Sequence, residues 1–259
     1  MVGQAVLSPL VADALRSRLG VALPRCLGVA THGRTAPERG ALLTQGWQQA
    51  HELGLVDSSG RPRPFVEDAL KLLDRPDMRI EMVVAELAER RDRVATVCLS
   101  GRFAVLARPT PEGLRLEQIP PDATPSALCS LLPTEPAGSG PRSVTLPATA
   151  LRAVRQSVAR DTGQDRFVGV LVRHGASELD ARVFARVFAR VFGAPRRRLA
   201  QVRAGRGGSA QTLDVLDTDA GRYLVRLRGG HLVLTPANTP QLRTAIDELI
   251  RVAGRHLTP

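Results

Sequence analysis

In the N-terminal part of the chain, the spacing of apolar residues changes near residue 78. Up to that point apolar residues recur at helical spacing, and glycine or proline ends each run. From Met78 onward they alternate with charged residues, which is typical of a strand with one covered face. The turns between strands are short, so the strands are predicted to be antiparallel. The predicted elements are helices at 10–19, 37–53 and 65–73, strands at 78–84, 94–99, 102–108 and 114–119, and a closing helix at 124–132.

The C-terminal part repeats this order of elements. A strand at 143–146 is followed by helices at 147–159 and 177–192, four strand candidates between 197 and 235, and a helix at 239–256. Three short matches recur in the same order: Val6–Pro9 with Val144–Pro147, Gly101–Val105 with Gly221–Val225, and Pro121–Pro125 with Pro236–Pro240. We predict a single α+β domain with a pseudo-twofold duplicated unit. Halves 1–132 and 141–259 would share an antiparallel central sheet flanked by helices, joined by a Pro/Gly-rich linker at 133–140.

The helix predicted at 177–192 contains the tetrapeptide Arg-Val-Phe-Ala twice. Four residues advance about 400° around a helix, so the valines, the phenylalanines and the arginines form three adjacent rows. We expect the valine and phenylalanine rows to pack on the sheet, and the arginine row to form a solvated edge. The alternative is that part of the apolar face is an exposed groove for a partner helix.

The chain is strongly basic, with 36 Lys and Arg against 25 Asp and Glu and a net charge of +11. Such a charge suggests nucleic acid or an acidic membrane surface as a partner. However, Lys71 is the one lysine, and an arginine excess beside abundant Ala, Leu, Val and Gly is typical of GC-rich codons. The charge is spread along the chain, without the interleaved aromatic residues that single-strand binders use for stacking. Nucleic-acid binding therefore stays the alternative function.

Candidate catalytic and metal-binding residues form no recognisable pattern. The five histidines are scattered rather than grouped at the spacing of a zinc site, and G-x-S-x-G, P-loop and dinucleotide motifs are absent. Asp217–Gly221 resembles a calcium loop superficially, but it lacks the later acidic ligands and is interpreted as a hairpin turn. We predict no catalytic residue, no cofactor, no metal site and no small-molecule substrate, and a protein that binds another protein.

The cysteines and the hydropathy predict a cytoplasmic location. Cys26, Cys98 and Cys129 are odd in number and far apart, which fits reduced thiols, and the last two are expected in the core. The sequence has no run of 18 apolar residues and begins without the basic region and cleavage site of a signal peptide. No membrane insertion is predicted.

Three segments in this order resemble the EspG family of ESX secretion-associated proteins. They are Glu38–Gly60, which contains Trp47 and the run Glu-Leu-Gly-Leu-Val-Asp-Ser-Ser-Gly, Ala69–Pro76, and Leu216–Tyr223. Each segment consists of turn and helix-end residues, and the specificity comes from their order and spacing. The resemblance runs from Val6 to about Leu249, and the Arg/Ala-rich composition agrees with an actinobacterial source.

The resemblance implies a cytosolic chaperone of type VII (ESX) secretion, without enzymatic activity or cofactor. Its partner would be the hydrophobic tip of a PPE protein in a PE-PPE heterodimer, or another helical ESX substrate, which it would keep soluble and direct to the secretion machinery. The chaperone itself would be a monomer or a weak homodimer. Covering an apolar tip with a face rimmed by arginines would remove that surface from water and select partners by charge.

The resemblance also implies a partner surface at the loop between the first two strands of the N-terminal sheet. In this sequence that loop is predicted at 88–93, and its candidate contact residues are Glu89, Arg90, Arg91, Asp92 and Arg93. The corresponding Gly-rich hairpin at 205–211 is a second candidate, with Arg206, Gly207 and Gly208. The alternative for the first loop is an ordinary charged hairpin turn.

Overall fold

One antiparallel β-sheet extends through both the N-terminal and the C-terminal parts of the chain. The computed structural model describes residues 3–86, 91–139, 143–150, 153, 164–193, 198–206 and 209–255. The strands are β1 (Gln4–Leu7), β2 (Met78–Glu86), β3 (Arg91–Ser100), β4 (Phe103–Thr110), β5 (Gly113–Ile119), β6 (Val144–Pro147), β7 (Arg198–Arg206), β8 (Ser209–Thr218), β9 (Gly221–Arg228) and β10 (His231–Pro236). Over the described residues they pair in the order β1-β5-β4-β3-β2-β7-β8-β9-β10-β6.

The described helices lie between these strands and after the last of them. They are α1 (Pro9–Leu19), α2 (Ala36–Glu52), α3 (Pro64–Asp74), α4 (Thr124–Cys129), α5 (Gln164–Arg173), α6 (Glu178–Gly193) and α7 (Thr239–Arg255). The ends of α1 follow from its sequence, because the Ser8 side chain accepts a hydrogen bond from the Val11 N–H and Gly20 takes a left-handed conformation. Across the described residues, each helix is too short or too polar to span a bilayer.

The strand order is the same on both sides of the junction between β2 and β7. Outward from the junction, β2 is followed by β3, β4, β5 and β1, and β7 is followed by β8, β9, β10 and β6. The junction is antiparallel, from Arg79 opposite Gly205 to Glu86 opposite Arg198, so a half-turn about its middle exchanges the two series. The predicted α+β fold with a large antiparallel sheet flanked by helices is confirmed. The division into halves 1–132 and 141–259 stays a prediction, which this strand order supports.

Two of the three matched segments do not occupy equivalent positions. Gly101 lies in the turn before β4, whereas Gly221 is already the first residue of β9, so this match is offset by two residues. Val6 is 39% exposed, whereas its match Val144 is buried, so the two side chains point to opposite faces. The third match is in register, because its threonines begin α4 and α7.

The sheet packs helices against both faces. On the central face, defined as the face that carries α4 and α7, Ile80, Met82 and Val202 pack with Leu128 and Ile246. On the lateral face, defined as the opposite one, α1–α3 cover β1, β4 and β5, and α5 and α6 cover β6, β9 and β10. Because these two helical layers lie over the outer strands, the middle of the lateral face exposes Val83 and Leu199.

Several predicted elements need correction. The helix α5 was not predicted, because its three valines and Gly169 have low helix propensity, and its burial of Phe167, Val170 and Leu171 outweighs that propensity. The helix predicted at 147–159 lies largely outside the described residues, although 148–150 are helical. The apolar rows of α6 pack in the core at Phe184 and Val187, and the side chains of 188–192 lie outside the described part.

Residues 133–139, which were predicted as a linker, are hydrogen-bonded to the start of β9 and to the turn before it. The Arg222 N–H donates to Pro136 O at 2.9 Å, and the Gly138 and Ser139 N–H groups donate to Arg222 O at 2.8 Å and Ala220 O at 2.7 Å. Gly138 is required here, because a Cβ on it would lie 2.1 Å from the buried ring of Tyr223. The segment is therefore docked along the start of β9 rather than acting as a loose linker.

We expect Gly138→Ala to lower the free energy of unfolding by about 1–3 kcal/mol or more, because neither the Tyr223 ring nor the docked segment has room to move. Gly40→Ala is the matched control, since Gly40 lies in the exposed part of α2 with open space around its Cβ position. It should raise stability by up to about 1 kcal/mol. Urea denaturation of both variants checks this, and equal effects of the same sign would contradict the docked segment.

A buried carboxylate in α1, that of Asp13, connects α1 to the loop that contains His32 and to the start of α2. Asp13 is fully buried and contacts Arg16 at 2.9 Å, His32 Nδ1 at 3.1 Å and Arg39 at 3.2 Å. Burial alone would raise its pKa, but hydrogen bonds from the His32 N–H, the Arg39 and His32 side chains and Arg16 together lower the pKa to about 2. The charged form is thus strongly favoured in the folded state.

This depressed pKa predicts an acid-sensitive part of the stability. Asp13 contributes stability that is fully present above its unfolded pKa near 4 and is lost as pH falls through about 2. The contribution is about 2 kcal/mol, and about half of it should be lost by pH 3. Urea denaturation of the wild type and Asp13→Asn at pH 7 and pH 3 measures it. A difference between the two proteins that does not shrink with acidity would refute the assignment.

Candidate partner-binding site

The β2–β3 hairpin is longer than the sequence pattern predicts. The strands pair from Met78 opposite Leu99 to Glu86 opposite Arg91, so Arg91, Asp92 and Arg93 lie in β3 and not in a loop. Glu89 and Arg90 lie outside the described residues. The prediction of a loop at 88–93 was wrong at its C-terminal end, because backbone pairing continues past the last apolar residue.

The β7–β8 hairpin is longer than predicted in the same way. Arg206 is the last residue of β7 and is opposite Ser209, so the predicted loop at 205–211 is mostly strand. Gly207 and Gly208 lie outside the described residues, as does the side chain of Arg206.

The structure does not bring the two candidate hairpins together. The end of β2 at Glu86 lies beside Arg198, and the end of β7 at Gly205 lies beside Arg79. Seven residues of strand separate these two ends, which corresponds to about 24 Å. A single helix is about 10–12 Å across, so one helix that binds end-on contacts one hairpin at a time.

A row of ion pairs lies at the base of the β2–β3 hairpin. Glu86 contacts Arg93 at 2.6 Å and Arg198 at 2.9 Å, Arg198 contacts Asp217 at 3.2 Å, and Asp217 contacts the fully buried Arg222 at 2.6 Å. The strand pairing places all five side chains on the central face. Hydrogen bonding from Arg198 lowers the pKa of Glu86, and the same bond raises the pKa of Arg198. This row connects the hairpin to β8, β9 and the docked segment.

The sequence analysis did not predict this row of ion pairs, although the sequence contains enough information to predict one of the pairs. The Asp217–Gly221 turn was predicted correctly as a hairpin, but Asp217 acts as the partner of Arg222 rather than as a turn residue. A two-residue turn at 219–220 makes 217 and 222 cross-strand neighbours, which could have predicted the pair. The contact of Glu86 with Arg198 depends on the β2–β7 junction, which the sequence does not reveal.

We expect Asp217→Asn to destabilise the protein by about 3–5 kcal/mol, because it leaves the buried Arg222 without its charge partner. Asp247→Asn removes the exposed partner of Arg251 in α7 and should cost at most about 0.5 kcal/mol. Thermal and urea denaturation of the two variants provide the comparison. Similar small losses in both would mean that the Asp217–Arg222 pair does not support the hairpin base.

The thiols do not have the environment of a nucleophile. Burial raises the pKa of both Cys98 and Cys129 to about 11, and burial also raises the pKa of Cys26. The Sγ atom of Cys26 lies 3.2 Å from Thr96 Oγ1. Within the described ranges, no group of three or more His, Cys, Asp and Glu side chains is arranged to hold a metal ion.

Comparisons with known proteins agree with the fold. The model of the EspG family matches residues 8–248. The chain is similar in structure to the Mycobacterium tuberculosis type VII secretion system chaperone EspG5, solved in complex with the PE25-PPE41 dimer, with a TM-score of 0.70. The two chains are 14% identical, and the similarity covers 96% of each. A search of curated protein sequences finds no match.

Proposed function

The chain belongs to the EspG family, and we propose that it is a cytoplasmic chaperone of a type VII (ESX) secretion system, without enzymatic activity. The observation that carries this proposal is the family match over residues 8–248. The fold that the chain shares with the chaperone EspG5 over 96% of its length supports it. The raised pKa values of Cys98 and Cys129 disfavour their thiolate forms, as expected of thiols that serve as core residues.

The proposed client is a PE-PPE heterodimer or a similar helical ESX substrate, bound through its hydrophobic helical tip. An exposed apolar tip aggregates in water, and covering it removes that surface from solvent. Arginines at the rim would select the client by charge, as at other protein interfaces. The chaperone would keep the client soluble and direct it to the secretion machinery.

We propose the β2–β3 hairpin as the first client contact, through Glu89, Arg90, Arg91, Asp92 and Arg93. The ion pairs of Glu86 with Arg93 and Arg198 support this choice, because they fix the base of the hairpin against the sheet. A contact surface that is held in place loses less conformational entropy on binding. The β7–β8 hairpin, with Arg206, Gly207 and Gly208, is the second candidate at the opposite end of the junction.

The test is an affinity capture from the cytosol of the native host at two salt concentrations, followed by mass spectrometry. We expect a salt-resistant helical secreted protein to be retained. Capture of nucleic acid alone, released by raised salt, would instead support the basic-surface alternative, because phosphate contacts weaken steeply with salt.

Two charge reversals then distinguish the hairpins. Arg90→Glu changes the β2–β3 hairpin without placing a second carboxylate opposite Glu86, as a change at Arg91 would, and should reduce client capture about tenfold or more. Arg206→Glu does the same in the β7–β8 hairpin, and Arg251→Glu in α7 controls for net charge. All variants should unfold at the same temperature as the wild type. Loss of client with Arg206→Glu alone would transfer the contact to the second hairpin.

A further inference from the structure

The sheet opens between β3 and β4 at the base of the β2–β3 hairpin. These strands pair from Ser100 opposite Phe103 to Thr96 opposite Ala107, and then separate, although β3 extends back to Arg91 and β4 extends to Thr110. Residues that flank a two-residue turn form a hydrogen-bonded pair, and every second pair along the ladder repeats this pattern. The next such pair would be Val94 with Pro109. Proline has no N–H to donate, so the ladder cannot continue there in its usual form.

The opening leaves main-chain groups of β3 facing an empty space. By the same alternation, the N–H and C=O groups of Asp92 and Val94 point toward β4. Among the described residues, these groups have no backbone partner on that side. An unpaired strand edge of this kind is a template for another extended chain.

A cleft of about 590 Å³ lies along this edge, and its two sides differ in character. On the central face, the cleft is lined by Arg93 and Arg108 together with the apolar side chains of Met82 and Val84. On the lateral face, Leu27, Val94 and Pro109 form an apolar side, with the exposed carboxylate of Asp92 at its rim. The volume falls within the range of about 300–1,000 Å³ that is usual for ligand sites.

Arg108 has hydrogen-bonding capacity that the fold does not use. Its Nε is buried and has no hydrogen-bond partner in the described structure. Its nearest carboxylate is Glu117 at 3.6 Å, and that carboxylate is also held by Arg115. Arg108 lines the cleft with a side chain that is 37% exposed, and its carboxylate partner is shared with Arg115, so a carboxylate that entered the cleft would be stabilised beside its guanidinium.

We propose that this cleft binds an extended peptide segment with alternating acidic and apolar side chains, which adds to β3 as an extra strand. Successive side chains of a strand point to opposite faces, so the acidic ones face Arg108 and Arg93 while the apolar ones face Leu27 and Pro109. The carboxylate of Asp92 repels an acidic residue placed on the wrong side, which fixes the register. The four residues from 92 to 95 give an added strand about 13 Å of edge.

This inference goes beyond the proposed function, because it concerns the backbone of an extended segment and not a helical tip. It is tested with the chain alone and a synthetic peptide. Failure of the peptide to bind leaves the client capture experiment untouched, and failure of client capture leaves the peptide result untouched.

The probe is a fluorescein-labelled hexapeptide of three Val-Glu repeats. We expect it to bind by fluorescence anisotropy and to slow hydrogen exchange of the Val94 amide. The same peptide with every backbone amide N-methylated cannot donate to β3, and a Val-Lys peptide places cations against Arg108. Both should fail to bind. Equal binding of the N-methylated peptide would overturn strand addition.

Two substitutions locate the site. Arg108→Gln should weaken binding of the Val-Glu peptide about tenfold, because it removes the charged donor from the cleft. Arg102→Gln removes the same charge from the turn at the far end of β3 and β4 and should leave binding within about twofold. Equal weakening of peptide binding by both substitutions would mean that the peptide is held by the net positive charge of the protein and not by this cleft. Protection of the Val94 amide that grows with protein concentration, without peptide, would assign the cleft to a second copy of the chain.

Discussion

The antiparallel pairing of β2 with β7 is the interaction on which the rest of the molecule depends. It joins residues 79–86 to residues 198–205 and converts two sheets into one. Without it each series of strands would expose an unpaired edge with Ile80, Met82 or Val202 beside it, and such edges recruit other chains. The same pairing sets the position of each hairpin, because β2 and β7 are each one strand of a hairpin and lie beside each other along the junction.

The junction also explains how the layers are distributed. Helices α4 and α7 come from different parts of the chain but cover the same central strands, so the core around Ile80 and Val202 belongs to both parts. The helices α1–α3 and α5–α6 cover the outer strands of the lateral face instead. The row from Glu86 through Arg198 and Asp217 to Arg222 follows the same logic, because it crosses the junction on the central face. The stability of one hairpin thus depends on residues more than 100 positions away.

Much of the fold could be predicted from the sequence. The alternation beginning at Met78, the short turns and the repeated order of elements were enough to predict a large antiparallel sheet flanked by helices. The features that were not predicted depend on contacts between residues that are far apart in the sequence. Strands β2 and β3 continue through charged residues because backbone pairing does not require apolar side chains. Helix α5 forms because Phe167 and Leu171 are buried, in spite of a valine-rich sequence. The candidate site was predicted as two loops, whereas part of each predicted loop is strand. The Glu86–Arg198 contact depends on the register between β2 and β7, which the composition of the chain does not encode.

The docking of residues 133–139 on β9 has a consequence for how the molecule can move. Proline and glycine normally mark a hinge between bodies that swing apart, and this segment has that composition. Here its backbone is bonded to β9, and the bodies on either side share one continuous sheet. Cutting the chain within this segment would leave two fragments still joined by the β2–β7 ladder and a shared core. A break in this segment would therefore not by itself allow the two parts of the chain to separate.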